Sequence, residues 1–166
     1  MGYTTDFSGE FTLDKPLTAK HKAYLLAFNR TRRMKRDAAK LGPDPVREAA
    51  KLPAGIDGGY YVGSDADYGQ QRTPDILDYN SPPEGQPGLW CQWTPDEDGT
   101  AIIWDDGEKF YDYVQWIEYL IENFLAPWGY LVNGAVEWDG EDRGDVGRIL
   151  VVNNAVIEQH GKVVYS

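Results

Sequence analysis

The chain has 166 residues, of which 42% are apolar, 26% charged and 13% aromatic, a composition typical of one globular domain. Its 27 Asp and Glu residues exceed its 16 Lys and Arg residues, and the net charge of −11 excludes nucleic-acid binding by bulk charge. The single cysteine, Cys91, excludes an intrachain disulfide framework and a multi-cysteine metal site. No membrane span, signal peptide or transit peptide is recognisable, so we expect a cytoplasmic protein.

Charge is divided unevenly along the chain. Residues 1–51 carry 11 basic and 6 acidic side chains, whereas residues 52–166 carry 5 basic and 21 acidic ones. The basic part is concentrated between Arg30 and Arg36. This run either folds back onto the acidic surface of the protein, contacts a phosphate or nucleic acid, or ends a helix in solvent.

A strand and a helix are predicted first. Apolar and polar residues alternate over residues 7–13, which is typical of a half-buried strand. Pro16 ends this strand, and Thr18 is suited to cap a helix that begins at residue 19. We expect that helix to extend to Lys40 at most.

Residues 41–88 are predicted to be a long insertion. They contain seven of the ten prolines and eight of the 18 glycines, without a sustained period. Loops of this length are uncommon in compact domains and are usually functional or disordered. The tyrosines favour an ordered insertion lying over the domain, with a short helix at 46–52 and a short strand at 60–62.

A hairpin and a second helix follow. Two β-prone runs, 89–94 and 100–104, flank a turn that contains Asp-Gly, which predicts a hairpin. Asp105 and Glu108 have the spacing of a capping box, so we expect a helix to open there. Its apolar stripe has spacings of four and three residues and comprises Phe110, Val114, Ile117, Ile121 and Phe124.

The C-terminal part is predicted to be β-rich. Alternation over 130–138 predicts a strand, and an acidic loop follows at 139–145. Residues 148–152 and 155–157 are predicted strands joined by the turn pair Asn153-Asn154, since Asn tolerates positive φ. A last short strand is expected at 162–165.

The order of these elements predicts an α+β fold. Strand, helix, hairpin, helix and strand is the arrangement of a ferredoxin-like sandwich, an antiparallel sheet with two helices on one face. We expect a single domain spanning residues 1–166, with 41–88 inserted between the first helix and the 89–104 hairpin, and with extra C-terminal strands. This fold hosts many functions and indicates no chemistry.

Motifs that carry chemistry are absent from the sequence. It has no phosphate-binding loop, and His21 and His160 lack neighbouring metal-type partners. The acidic loop at 139–145 departs from the EF-hand alternation at Arg143, which favours solvated turns over a Ca²⁺ or Mg²⁺ site. We therefore predict no catalytic residue, metal or cofactor, while a carboxylate- or metal-dependent hydrolase remains open as a minor alternative.

Several sequence strings resemble one family of small acidic proteins from bacteriophages and bacteria, including actinobacteria. The strings, which together span nearly the whole chain, are Gly2-Tyr-Thr-Thr-Asp-Phe7, Thr31-Arg-Arg-Met-Lys-Arg36, Asp78-Tyr-Asn-Ser-Pro-Pro83, Gln86-Pro-Gly-Leu-Trp-Cys-Gln-Trp93, Trp104-Asp-Asp-Gly-Glu-Lys-Phe-Tyr111 and Gly129-Tyr-Leu-Val-Asn-Gly134. The resemblance implies a phage or bacterial cytosolic protein. It carries no known activity and no site residues.

An interaction protein is the leading functional hypothesis. An acidic, aromatic-rich surface would bind a partner with a basic groove, for instance a host protein targeted by a phage accessory factor. The candidate residues for this surface are Asp96, Glu97, Asp98, Trp116, Tyr119, Asp139, Glu141 and Asp142.

A binder of a nucleotide-like small ligand is the alternative. Aromatic side chains would stack on a planar ligand, and arginines would hold its phosphate. The candidate residues for this site are Arg30, Arg32, Arg33, Tyr60 and Tyr61. Direct nucleic-acid binding through the basic run has less support, because the chain as a whole is acidic.

Overall fold

The computed structural model describes residues 2–63 and 73–165 and has the α+β fold that the sequence predicts. The chain divides into two compact units, which we name the sheet unit (Met1–Pro16 with Gln92–Ser166) and the insert unit (Leu17–Cys91). The single domain with an insertion at 41–88 stays a prediction.

The strands and helices are mixed along the chain, and the last three strands follow all of the helices. In chain order the strands are β1 (Thr5–Leu13), β2 (Lys35–Arg36), β3 (Ile76–Asp78), β4 (Trp93–Pro95), β5 (Ala101–Trp104), β6 (Val132–Gly140), β7 (Val146–Val152) and β8 (Ala155–His160). The α-helices are α1 (Ala19–Arg30), α2 (Pro45–Ala49) and α3 (Tyr113–Leu120). Within the described residues, no helix is both long enough and apolar enough to cross a bilayer.

The sheet unit is built on one antiparallel sheet. Among the described residues it has six strands in the order β4-β5-β1-β6-β7-β8. The predicted strand at 7–13 is confirmed as β1, where Phe11 is buried and Ser8, Glu10 and Thr12 are exposed. This alternation gives the sheet an inner apolar face and an outer polar face.

Aromatic side chains fill the inner face. The ring of Trp93 contacts Phe7, Phe11 and Phe110 at centroid distances of 5.2–5.3 Å in edge-on geometry, an arrangement that aromatic pairs prefer. The Trp93 indole Nε1 donates a hydrogen bond of 2.8 Å to the carbonyl of Tyr113, the first residue of α3. Helix α3 is therefore attached to the sheet on its inner face.

The predicted start of the second helix is wrong by seven residues, because the N-cap is Asp112 and not Asp105. Asp105 does not cap a helix; its Oδ1 accepts a hydrogen bond of 2.8 Å from the backbone N–H of Gly107. Three residues between this turn and α3 have positive φ, namely Asp106, Lys109 and Asp112. Since a left-handed residue interrupts an α-helix, the helix begins only at Tyr113, and it continues into a π-helical turn at Ile121–Leu125.

The hairpins on either side of α3 are confirmed. β4 pairs with β5, and β7 pairs with β8 through a turn in which Asn153 and Asn154 both have positive φ, as a tight two-residue hairpin requires. The strand predicted at 162–165 is wrong, because those residues have no strand pairing.

The insert unit begins with α1. Thr18 caps this helix as predicted, its Oγ1 accepting from the N–H of His21 at 3.2 Å. The helix ends at Arg30, ten residues before the predicted limit, where the backbone of Thr31 becomes extended. The Thr31 hydroxyl donates to the carbonyls of Ala27 and Val62 at 2.7 and 3.1 Å. The chain then becomes extended, and β2 pairs with β3.

The short helix predicted at 46–52 is confirmed as α2, which begins after Asp44. The strand predicted at 60–62 is wrong. The chain instead forms a 3₁₀ turn at Ile56–Gly58 and continues without strand pairing. Residues 64–72 of the predicted insertion lie outside the described residues.

Candidate functional site: the outer face of the sheet

The outer face of the sheet is acidic where β1 and β6 pair. Asp6 lies directly opposite Asp139, and Ser8 lies directly opposite Glu137. All four side chains are exposed, and Glu10 continues the series along β1. Among the residues of the six strands, Arg148, opposite Glu137, is the only Arg or Lys on this face. The surface therefore has a single dominant sign of charge.

A cleft of about 540 Å³ lies against this acidic surface. It is lined by residues of β1, β6 and β7 and by Gly161, and these residues include Asp6, Ser8, Glu137 and Asp139. Like charges placed directly opposite each other on neighbouring strands destabilise a sheet by roughly 0.2–1 kcal/mol per pair. The Asp6–Asp139 pair is thus an arrangement that folding alone does not favour.

The loop beside this cleft is held by Tyr3 and Asp145. The Tyr3 hydroxyl donates to Asp145 Oδ2 at 2.6 Å and accepts from the N–H of Asp142 at 2.9 Å. The indole Nε1 of Trp138 donates to Asp145 Oδ1 at 3.0 Å. Glu141 accepts from the N–H of Thr4 at 2.6 Å. The predicted residues Glu141 and Asp142 therefore lie in an ordered loop next to Asp139, and both are exposed.

The pKa values of two tyrosines are raised around this loop. The hydrogen bond to Asp145 raises the pKa of Tyr3, and burial, with a contribution from Asp145, raises the pKa of Tyr113 to about 12. Both shifts favour the protonated phenol in the folded state. The stability that they contribute is complete below pH ~10, the pKa of an unfolded tyrosine, and is lost as the pH rises through the folded value.

We expect the melting temperature to fall between pH ~10 and ~12, and to fall less steeply in Tyr113→Phe, which cannot ionise. Thermal unfolding followed by circular dichroism over this pH range measures both slopes. Tyr165→Phe is the matched control, because Tyr165 is 69% exposed. Equal slopes for Tyr113→Phe and the wild type would contradict this assignment.

The second predicted acidic group, residues 96–98, lies in the β4–β5 turn beside the C-terminal end of β1. Asp96 is engaged in the β4–β5 turn, where its Oδ1 accepts from the N–H groups of Thr100 and Ala101 at 2.9 and 3.2 Å. Glu97 and Asp98 are exposed. The N–H of Leu13 donates to the carbonyl of Thr100 in this turn. Since Leu13 is seven residues from Asp6 along β1, the turn lies roughly 24 Å from Asp6 along the strand. The two acidic groups do not form one cluster.

The predicted aromatic anchors do not lie on the outer face. Trp116 is fully buried, so it belongs to the core and offers no surface to a partner. Tyr119 is half-buried, and its ring contacts Trp116 and Phe124 at 5.6 and 5.9 Å. Both residues belong to α3, which contacts the inner face of the sheet.

Most side chains of the arginine run, residues 30–36, pack inside the insert unit to which they belong. The Arg33 guanidinium is buried, lies 4.1 Å over the ring of Phe28 and donates to the carbonyls of Gly59 and Tyr61 at 2.7 and 2.9 Å. Arg32, half-buried, lies over Tyr79 at 4.2 Å.

Arg36 and Tyr61 are parts of the same packing. The Arg36 guanidinium forms a buried ion pair of 2.7 Å with Asp75 and lies over the ring of Tyr61 at 4.4 Å. Burial acts to raise the pKa of Asp75, but hydrogen bonds from Thr73 and Arg36 outweigh it and lower that pKa. The carbonyl of Tyr60 accepts from the Tyr24 hydroxyl at 2.8 Å. Of the three predicted ligand-binding arginines, only Arg30 is exposed.

No metal site is formed by the described residues. Within residues 2–63 and 73–165, no group of three or more His, Cys, Asp or Glu side chains is arranged to hold a metal ion. Cys91 is buried, and His21 has its pKa lowered by burial.

Reasoning from the sequence alone did not identify three residues of the acidic surface, namely Asp6, Glu10 and Glu137. Glu10 and Glu137 occupy polar positions of predicted strands, whereas Asp6 directly precedes the first predicted strand. Sequence alternation shows that such residues face solvent, but it does not show which strands are neighbours.

Comparison with protein-family models, with curated proteins and with solved structures finds no match to this chain.

Proposed function

We propose that this chain is a non-enzymatic interaction protein, and that it binds a basic partner protein through the acidic outer face of its sheet. The observation that carries the proposal is the cross-strand pair of Asp6 and Asp139 at the wall of the cleft. A Lys or Arg side chain of a partner placed between two carboxylates relieves their repulsion. Binding then offsets the free energy of folding that the repulsion between the two carboxylates costs.

A cytoplasmic host protein is the partner class that we propose for a phage accessory or host-targeting factor. The resemblance of the sequence strings to small acidic phage and bacterial proteins supports this origin, and the net charge of −11 suits a basic groove. Complementary charge mainly accelerates association and excludes wrong partners. Binding should therefore weaken with salt.

Asp6→Asn combined with Asp139→Asn is expected to weaken partner binding while stabilising the fold by roughly 0.2–1 kcal/mol, because the repulsion between the strands is removed. Urea unfolding measures the stability. Affinity capture from bacterial lysate at about 50 and 500 mM salt, with identification by mass spectrometry, measures partner binding.

Glu48→Gln combined with Glu84→Gln is the matched control, because both residues are exposed and lie in the insert unit. This variant has the same net charge as the double asparagine variant and should retain the captured proteins. If both variants lose the same basic proteins, total charge and not the outer face determines binding. If neither loses any, the proposal fails.

We also infer that the core of the sheet unit is ferredoxin-like, with β7 and β8 as C-terminal additions. In support, β1 lies between β5 and β6, and β5 lies between β1 and β4, all antiparallel. This interleaving is that of a split β-α-β sandwich. Helix α3 connects β5 to β6 as that topology requires.

A further inference from the structure

The outer face also has an apolar half, on β7 and β8. Leu150 lies directly opposite Ala135 on one side and opposite Ile157 on the other. Val152 lies opposite Ala155 in the next row of this face. Ile157 is 43% exposed and Val152 46% exposed. These aliphatic side chains therefore form a continuous patch that remains accessible to a partner.

The acidic half and the apolar half lie side by side. Carboxylates occupy β1 and β6, whereas aliphatic side chains occupy β7 and β8. In the strand register, Glu10 shares a row with Leu150 and Ile157, Glu137 lies one row away, and Asp6 and Asp139 lie two rows away. Because strands are about 4.8 Å apart and rows about 6.8 Å apart, the centres of the two halves are roughly 15–17 Å apart along a diagonal of the face. An α-helix about 10–12 Å in diameter that lies across this diagonal reaches both halves, since Lys and Arg side chains extend several ångströms beyond its backbone.

We propose that the outer face binds an amphipathic α-helix of the partner, with apolar residues against Leu150, Val152 and Ile157 and Lys or Arg residues toward Asp6, Glu137 and Asp139. This inference rests on the proposed function and specifies the kind of partner. A basic amphipathic helix presents both chemistries on adjacent flanks, which matches the division of this face.

Charge disfavours a second copy of this chain as the occupant. Arg148 is the only Arg or Lys among the outer-face residues of these strands, and the Gln159 side chain accepts a hydrogen bond from it. Two copies meeting through this face would gather eight carboxylates of Asp6, Glu10, Glu137 and Asp139 around two arginines. Like-charge contacts of this kind are costly across an interface.

The test uses a synthetic helical peptide of about 18 residues, since its ~27 Å length matches the length of these strands. Leucines follow the helical period, lysines flank them, and the probe is fluorescein-labelled. The control peptide has the same composition in scrambled order. Fluorescence anisotropy at about 50 mM salt should show the amphipathic peptide binding at least about tenfold more tightly than the scrambled one.

Val152→Ser combined with Ile157→Ser should remove most of this preference, because both side chains are exposed and belong to the apolar half. Ile56→Ser combined with Leu77→Ser is the matched control. These two side chains are 67% and 61% exposed and lie in the insert unit. The control should bind the amphipathic peptide like the wild type, and circular dichroism checks that both variants fold.

The outcomes distinguish this inference from the proposed function. Equal binding of both peptides, weakened by Asp6→Asn with Asp139→Asn, overturns the helix and leaves the acidic interaction face standing. Tight binding of the amphipathic peptide that survives Val152→Ser with Ile157→Ser also overturns it. Binding of neither peptide at low salt contradicts the helix and the acidic interaction face together.

Discussion

Replacing Arg33 with alanine is expected to lower the free energy of unfolding by about 3–5 kcal/mol. Its guanidinium is buried and donates to the carbonyls of Gly59 and Tyr61, and its Nε donates to the amide oxygen of Gln86 at 3.2 Å. Without the arginine these acceptors lose a charged donor, and hydrogen bonds to charged groups each contribute about 1.5–3 kcal/mol. The cavity left over the Phe28 ring adds to the loss.

Urea unfolding followed by circular dichroism measures this loss, and amide hydrogen exchange at Tyr60 and Tyr61 locates it. Faster exchange should appear there first, because their backbone N–H groups bond to Ala54 and Gly58 within the segment that Arg33 holds. Arg33→Lys should recover part of the stability, since an ammonium group lacks the planar fork that reaches several acceptors.

Arg30→Ala is the control for this prediction, because Arg30 is exposed in the last turn of α1. Its loss removes only a favourable interaction with the helix dipole, which is below about 1 kcal/mol. If Arg33→Ala and Arg30→Ala destabilise the protein equally, the Arg33 side chain does not anchor the insert unit.

The sequence predicted the elements whose signals are local. β1 follows from alternation, the start of α1 from Thr18, and the β7–β8 hairpin from the pair Asn153-Asn154. In each case a few neighbouring residues favour the observed backbone conformation, and the tertiary contacts favour the same conformation.

The failures occur where tertiary contacts override a local pattern. Asp105 and Glu108 have the spacing of a capping box, yet the left-handed residues Asp106 and Lys109 interrupt the helix. The arginine run similarly has the composition of a solvated or ligand-binding surface, but carbonyl groups and aromatic rings distant in sequence bury Arg33 and Arg36. No pattern within the run indicates those partners.

The candidate site was predicted in part for the same reason. Asp139, Glu141 and Asp142 are consecutive or nearly so, and their exposed acidic loop was visible in the sequence. Glu137 lies on the same strand two residues before Asp139, whereas Asp6 joins them only through the pairing of β1 with β6, which brings together residues more than 120 positions apart. The strand register, which sequence alternation leaves open, therefore determines that Asp6 lies beside Asp139 on this surface.

Gly134→Ala is the second substitution from which we expect a large effect, a loss of at least about 3 kcal/mol in the free energy of unfolding. Gly134 lies in β6 with φ +134°, and an added Cβ would lie 2.6 Å from the carbonyl oxygen of Glu10 on β1. Gly9 is in the reciprocal position, because its Cβ would lie 2.5 Å from the carbonyl oxygen of Ala135. Alanine at position 134 therefore meets both backbone strain and a backbone clash.

Two further glycines separate these contributions. Gly85 has φ +86° but no atom within 4 Å of an added Cβ, and Gly42 has neither a positive φ nor a neighbour. Gly85→Ala should cost about 1 kcal/mol through backbone strain alone, whereas Gly42→Ala should be neutral or slightly stabilising. Urea unfolding of the three variants measures the series.

The order of the three losses in unfolding free energy tests how closely β1 and β6 approach each other near the middle of their pairing. Gly9 and Gly134 lie on either side of the Glu10–Ala135 pair, so their missing side chains allow the two strands that carry Asp6 and Asp139 to come together there. A loss for Gly134→Ala no larger than that for Gly85→Ala would mean that the strands have room to separate. The acidic pair would then lack the fixed spacing on which the proposed binding face depends.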